Sequence, residues 1–123
     1  MAQILYDAGN KSFTAGKYAE SLRAFTDFTK TYPKHSQISN AWFWKAESNF
    51  ALNNYANAAL DYENIIKEYP TSQRAPSAYL KQAMCFANNN QKDVARYRLE
   101  DLIKKFPNAP EAARAKTMLA ELK

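Results

Sequence analysis

The sequence predicts an all-α fold: an α-solenoid of three helical hairpins followed by one capping helix. Three observations point there. An aromatic–proline pair recurs at Tyr32-Pro33, Tyr69-Pro70 and Phe106-Pro107, each 37 residues after the last. Laying the chain on itself at that interval brings large and small apolar residues into common columns, the signature of a repeat architecture. Glycine is scarce, with two in 123 residues, whereas an all-β fold would need turn signals every ten or so residues.

The columns define the helices. Leu5, Trp42 and Tyr79 superpose as large apolar residues, and Gly9, Ala46 and Ala83 as a small column. Phe13 falls on Phe50, Tyr18 on Tyr55, and Phe25 on Tyr62 and Leu99. Ser21, Ala58 and Ala95 form a second small column, and Phe28, Ile65 and Leu102 an apolar one. Within each helix these residues recur three and four apart, which lays one apolar stripe along it. Small columns are where two helices can approach closely. First helices are expected at about 3–15, 37–52 and 73–88, second helices at about 18–31, 55–68 and 92–105. Gly16, Asn53 and Asn90 separate the two helices of each unit and tolerate the left-handed conformation that closes a helix. The proline of each aromatic–proline pair ends the second helix, and Ser36, Ser72 and Asn108 follow as expected N-caps. The last helix, 110–122, would cover the open end of the third unit, so 1–123 reads as one domain with repeats at about 2–35, 37–71 and 73–108.

Charge is placed unevenly. The net charge is +5, and the whole excess lies in residues 74–123, with ten basic against five acidic side chains. These basic residues alternate with Glu and Asp, so ordinary solvated helix faces are the expected reading. The lone Cys85, inside Ala83-Met84-Cys85-Phe86, reads as a buried, inert thiol. No segment approaches the roughly 18–20 apolar residues that span a bilayer, so no membrane insertion is expected. The opening residues lack a basic region followed by an apolar one, so they carry no export signal.

The columns resemble the tetratricopeptide pattern: large, small and aromatic in the first helix, then small, aromatic, small and Pro in the second. The unit here is 37 residues instead of the usual 34 or so, and Phe28, Ile65 and Leu102 stand where a small residue is usual. Leu5-Tyr6-Asp7-Ala8, Gly16-Lys17-Tyr18-Ala19-Glu20-Ser21, Tyr32-Pro33-Lys34 and Ala75-Pro76-Ser77-Ala78 resemble one subgroup, the C-terminal domain of the periplasmic Tol-Pal-associated family YbgF/CpoB. That resemblance implies a right-handed superhelix and a Gram-negative periplasmic adaptor that binds TolA. It implies a role in coupling outer-membrane constriction to peptidoglycan synthesis in cell division, with Pal or a bifunctional penicillin-binding peptidoglycan synthase as further partners. Family members carry a signal and a trimerising coiled coil ahead of the repeats; their absence here fits an excised, monomeric domain. A repeat domain of a BamD-like outer-membrane assembly lipoprotein and a generic cytoplasmic adaptor are the alternatives.

In the tetratricopeptide pattern the first helices line a concave groove. The corresponding residues are Tyr6, Asn10 and Phe13 in unit one, and Asn40, Phe43, Trp44, Glu47 and Phe50 in unit two. Ser77, Leu80, Lys81 and Met84 follow in unit three. Successive residues on a helix point about 100° apart, so Trp42-Phe43-Trp44 cannot all face one neighbour. Trp42 is assigned to the core column, and Phe43 and Trp44 to the groove. Trp44 beside Phe and Met is a binding hot-spot candidate; the competing reading packs it on the next unit. Asn10, Glu47 and Lys81 would orient a ligand. Repeat domains that clamp an acidic chaperone C-terminus use basic and Asn side chains at five groove positions. Here Asn10 and Lys81 fit, while Tyr6, Trp44 and Ser77 do not, so an apolar or amphipathic helical partner is expected instead.

Other chemistries find little footing. His35 is the only histidine and is expected to be a solvated loop residue, not a general base. No catalytic residues, cofactor site or metal-ligand spacing are predicted, and no phosphate loop. An RNA-binding repeat is a remote alternative: Arg96 and Arg98 fall on a second helix, away from the groove, beside Asp93, Glu100 and Asp101.

Overall fold

Seven helices follow one another in the computed structural model, which describes residues 1–122. They are α1 (Ala2–Thr14), α2 (Tyr18–Thr31), α3 (Ile38–Ala51), α4 (Tyr55–Glu68), α5 (Ala75–Asn88), α6 (Lys92–Lys105) and α7 (Pro110–Glu121). No strand occurs among the described residues, and the architecture is an all-helical solenoid. Lys123, the last residue assigned to the domain, lies outside the described residues.

The turn inside each hairpin is built as the sequence column requires. Gly16, Asn53 and Asn90 adopt φ of 78°, 62° and 62°. Behind each, two backbone bonds close the preceding helix: Lys17 N–H to Ser12 O and Gly16 N–H to Phe13 O in unit one, and likewise Asn54 to Asn49 and Asn53 to Phe50. This is the Schellman closure, which satisfies orphan carbonyls at the helix end.

Between hairpins the expected caps are corrected. Ser36, Ser72 and Asn108 are not the N-caps; Gln37, Arg74 and Ala109 hold those positions without side-chain cap bonds. The linkers instead turn through backbone bonds, His35 N–H to Tyr32 O and Ile38 N–H to His35 O, repeated at Ser72 and Ala109. His35 and Ser72 share one repeat position, and each accepts the amide two residues on: Gln37 N–H to Nδ1 and Arg74 N–H to Oγ. His35 is thus half-buried, its ring edge-on to Phe28 at 5.2 Å, and not a solvated loop residue. His35 and Ser72 thus take the amides of Gln37 and Arg74 from two residues back, in place of a side chain at the cap position itself.

Burial follows the repeat. Phe25, Phe28, Tyr62, Ile65, Leu99 and Leu102, the apolar columns of α2, α4 and α6, are fully buried. Each such side chain contributes about 1.5–3 kcal/mol through the hydrophobic effect. The small columns permit the contact: a Cβ at Gly9 would stand 2.7 Å from the Phe25 ring. Ala46 and Ala83 fill the same column where the opposing residues are Tyr62 and Leu99.

Helices α1, α3, α5 and α7 form one layer and α2, α4 and α6 the other. Each helix packs on the next, and α1 touches α3 as α5 touches α7. Helix α7 obeys the same register as the first helices, since Ala41, Ala78 and Ala115, 37 apart, are all fully buried. It therefore closes the third unit in the way that a first helix of a further unit would.

Candidate protein-binding groove

The layer of first helices carries the predicted groove residues, and the structure divides them into two sets. Trp44, Phe13, Phe50, Asn10, Glu47, Lys81 and Met84 are half-buried, each presenting part of its surface. Tyr6, Phe43 and Leu80 are corrected: all three are buried, at 8%, 5% and 7% exposure, and present little surface to a ligand. For Tyr6 and Phe43 the cause is the second helix of their own hairpin, and Leu80 joins the larger core cluster. Tyr6 packs edge-on against Phe25 and Phe28 of α2, and Phe43 lies 6.0 Å from the Tyr62 ring of α4. Trp42 packs against both hydrophobic clusters, with the Lys45 ammonium 4.6 Å from its ring.

Trp44 bridges units. Its ring meets Phe13 of α1 edge-on at 5.2 Å and Phe43 at 5.7 Å, and the Arg74 guanidinium of the next unit lies 5.4 Å from it, so it is packed from both neighbouring units. Its backbone carbonyl accepts from Ser48 Oγ, which in turn shares a buried hydrogen bond of 2.9 Å with Ser21 Oγ of α2. These contacts hold the ring in place while the residue stays half-buried, the state of a pre-ordered aromatic anchor.

Glu47 and Lys81 do not stand free to orient a ligand. The Tyr62 hydroxyl donates to the Glu47 carboxylate, and Lys81 Nζ lies 3.6 Å from the same carboxylate while resting over the Phe50 ring. Burial and then the Glu47 charge push the Tyr62 phenol above its ordinary range. The three groups form a Tyr–Glu–Lys chain that ties α4, α3 and α5 together.

Two features of the groove were not foreseen. Helix α7 contributes to it: Met84 of α5 with Ala113, Arg114, Thr117, Met118 and Glu121 of α7 lines a pocket of about 550 Å³. Carrying the repeat one step past Ser77 and Lys81 reaches Arg114 and Met118, so the signal was present. Arg74 is the second. Its guanidinium lies 4.5 Å from the Phe43 ring and 5.4 Å from the Trp44 ring, and its Nε donates to Asn40 Oδ1 at 2.8 Å. It sits in a linker, where the repeat pattern carries no information about side-chain reach.

Chemically this face offers aromatic, apolar and a few charged side chains to a partner. Among the described residues no cluster of three His, Cys, Asp or Glu side chains has metal-binding geometry. Cys85 is 1% exposed, and burial pushes its thiol up to about 12. No helix is long and apolar enough to cross a membrane among those described.

The fold and the face define a helical-repeat interaction module. Tetratricopeptide repeat models match residues 6–73 and 77–109, and the chain belongs to the tetratricopeptide repeat family. No curated protein matches it. Among solved structures it is similar to the first such domain of human RPAP3, with a TM-score of 0.78 and 23% identity, covering 99% of this chain and 89% of that one. The first repeat domain of Spaghetti (RPAP3) bound to the HSP90 peptide SRMEEVD gives 0.78 at 22% identity, covering 98% and 89%. The Arabidopsis OM64 repeat domain gives 0.76 at 14%, covering 98% and 94%. Identities this low carry the fold and no ligand.

Proposed function

We propose that this domain is a periplasmic adaptor of a Gram-negative Tol-Pal system that holds TolA in its groove. In that role it helps to coordinate outer-membrane constriction with peptidoglycan synthesis, with Pal or a bifunctional peptidoglycan synthase as further partners. The observation that carries the binding reading is the half-buried set Trp44, Phe50, Met84 and Met118 on the first-helix layer, the last two lining the pocket between α5 and α7. Apolar and aromatic side chains held in place by their neighbours are what an interface core is made of. The Tol-Pal assignment is supported by the segments around Tyr6, Gly16, Pro33 and Pro76 that resemble the YbgF/CpoB family. In the intact protein an N-terminal coiled coil would supply trimerisation, and the repeat domain itself would be monomeric.

Calorimetric titration with TolA tests the partner, and Trp44→Ala tests the groove. Binding is expected, with the substitution weakening it by at least about 2 kcal/mol, the hot-spot scale. No heat of binding to TolA would remove the Tol-Pal assignment, and binding indifferent to Trp44→Ala would move the site elsewhere. Release of the native protein with periplasmic markers on osmotic shock is the expected localisation result; retention with cytosolic markers would contradict it.

A further inference from the structure

Arg74 places a charge on the groove that no ion pair among the described residues neutralises. No Asp or Glu among the described residues forms an ion pair with it, whereas Lys81 has Glu47, Arg96 has Asp93, and Arg98 has Glu63 and Asp101. Its one side-chain acceptor is the neutral Asn40 Oδ1, which takes Nε–H and leaves four of the five guanidinium N–H donors unused. The two aromatic faces hold the group half out of water while offering no hydrogen bond in return. Arg74 also stands at the N-cap of α5, where the helix end is already positive, and neither α3 nor α5 has an acidic residue in its first turn. At the same repeat position the other units carry Gln37 and Glu111, so an unpaired arginine in an inter-unit linker belongs to the middle of the groove alone.

We propose that Arg74 receives an internal Asp or Glu side chain of the protein segment that fills the groove, with a large apolar residue of that segment seated between Met84 and Met118. This rests on the groove reading above and specifies its ligand. A guanidinium fork pre-oriented by Asn40 and two rings matches a carboxylate in a bidentate pair. Arg74 lies outside the positions that clamp a free chain terminus, which here hold Tyr6, Asn10, Trp44, Ser77 and Lys81. Ten residues of α5 separate Arg74 from Met84, a rise of about 15 Å. A segment crossing in extended form covers that in about four or five residues at roughly 3.3 Å each.

The test selects a random dodecapeptide library, displayed with its C-terminus fused to the phage coat so that only side-chain carboxylates are offered. The domain serves as bait in wild-type, Arg74→Gln and Met84→Ala forms, each first shown by circular dichroism to be folded. The best wild-type binder and its acid-to-amide counterpart are then compared by fluorescence anisotropy. The expected result is an affinity loss of at least about tenfold for the amide peptide on wild type, shrinking below about twofold on Arg74→Gln. An amide peptide that binds wild type equally, or loses as much on Arg74→Gln, overturns the proposal. If Met84→Ala weakens those same peptides, the groove reading stands without it. Peptides indifferent to both substitutions, or no enrichment at all, overturn the groove reading and this inference together.

Discussion

Three side chains show at the residue scale how a small local fact sets a measurable property. Gly9→Ala should raise helix propensity by about 1 kcal/mol. The new Cβ, however, meets the Phe25 ring at 2.7 Å inside a packed core, and overpacking costs about 1–3 kcal/mol. A net fall in the urea midpoint is expected, and a rise would show that the Phe25 ring yields freely. Cys85 should resist maleimide in the native state at neutral pH and react only on unfolding, because burial removes both access and thiolate. Asp61 is the third: burial raises its carboxyl above the ordinary 3.8, outweighing the Lys45 charge and the Asn49 hydrogen bond. Such an acid binds its proton more tightly folded than unfolded, so its contribution to stability grows as pH falls through its folded pKa towards 3.8. Above that window the charged form is a cost. Asp61→Asn should therefore gain on wild type as pH rises through the window, read as urea midpoints, and a difference independent of pH would contradict this.

At the scale of elements, the hairpin turns were legible because they are local. Only Gly and Asn readily take positive φ, so a Gly16/Asn53/Asn90 column between two apolar stripes fixes the turn without tertiary knowledge. Asn53→Ala and Asn90→Ala should each cost about 1–2 kcal/mol by urea unfolding, and Asn→Gly at either site should be nearly neutral. Equal losses for Ala and Gly would place the cost in the Asn side chain instead. The linkers were less legible. Ser36 and Asn108 look like caps in sequence, yet the chain turns through His35, Ser72 and Ala109 by backbone bonds that no side-chain rule announces. Tyr6, Phe43 and Leu80 are buried for a related reason. The period names the helix face, but the face is wider than the groove, and the second helices claim its near edge.

At the scale of the whole molecule, repetition joins four first helices into one layer and cross-links it unit to unit. Arg74 reaches Asn40, Lys81 reaches Glu47, and Ser77 Oγ donates to Glu111 Oε2 at 2.7 Å. These links span neighbouring hairpins, so the groove keeps its shape before a ligand arrives, which lowers the ordering cost of binding. The outer layer presents Leu60 and Tyr97, 68% and 69% exposed, and makes a built-in control surface. The function proposed for this fold is the binding of a protein segment along the layer of first helices. Its most direct measurement is a titration of the nitrogen-15-labelled domain with unlabelled TolA, followed by amide chemical shifts. The largest shifts are expected at Trp44, Phe50, Lys81, Met84 and Met118, with Leu60 and Tyr97 unmoved. Shifts centred on Leu60 and Tyr97, or no shifts at saturating partner, would contradict it.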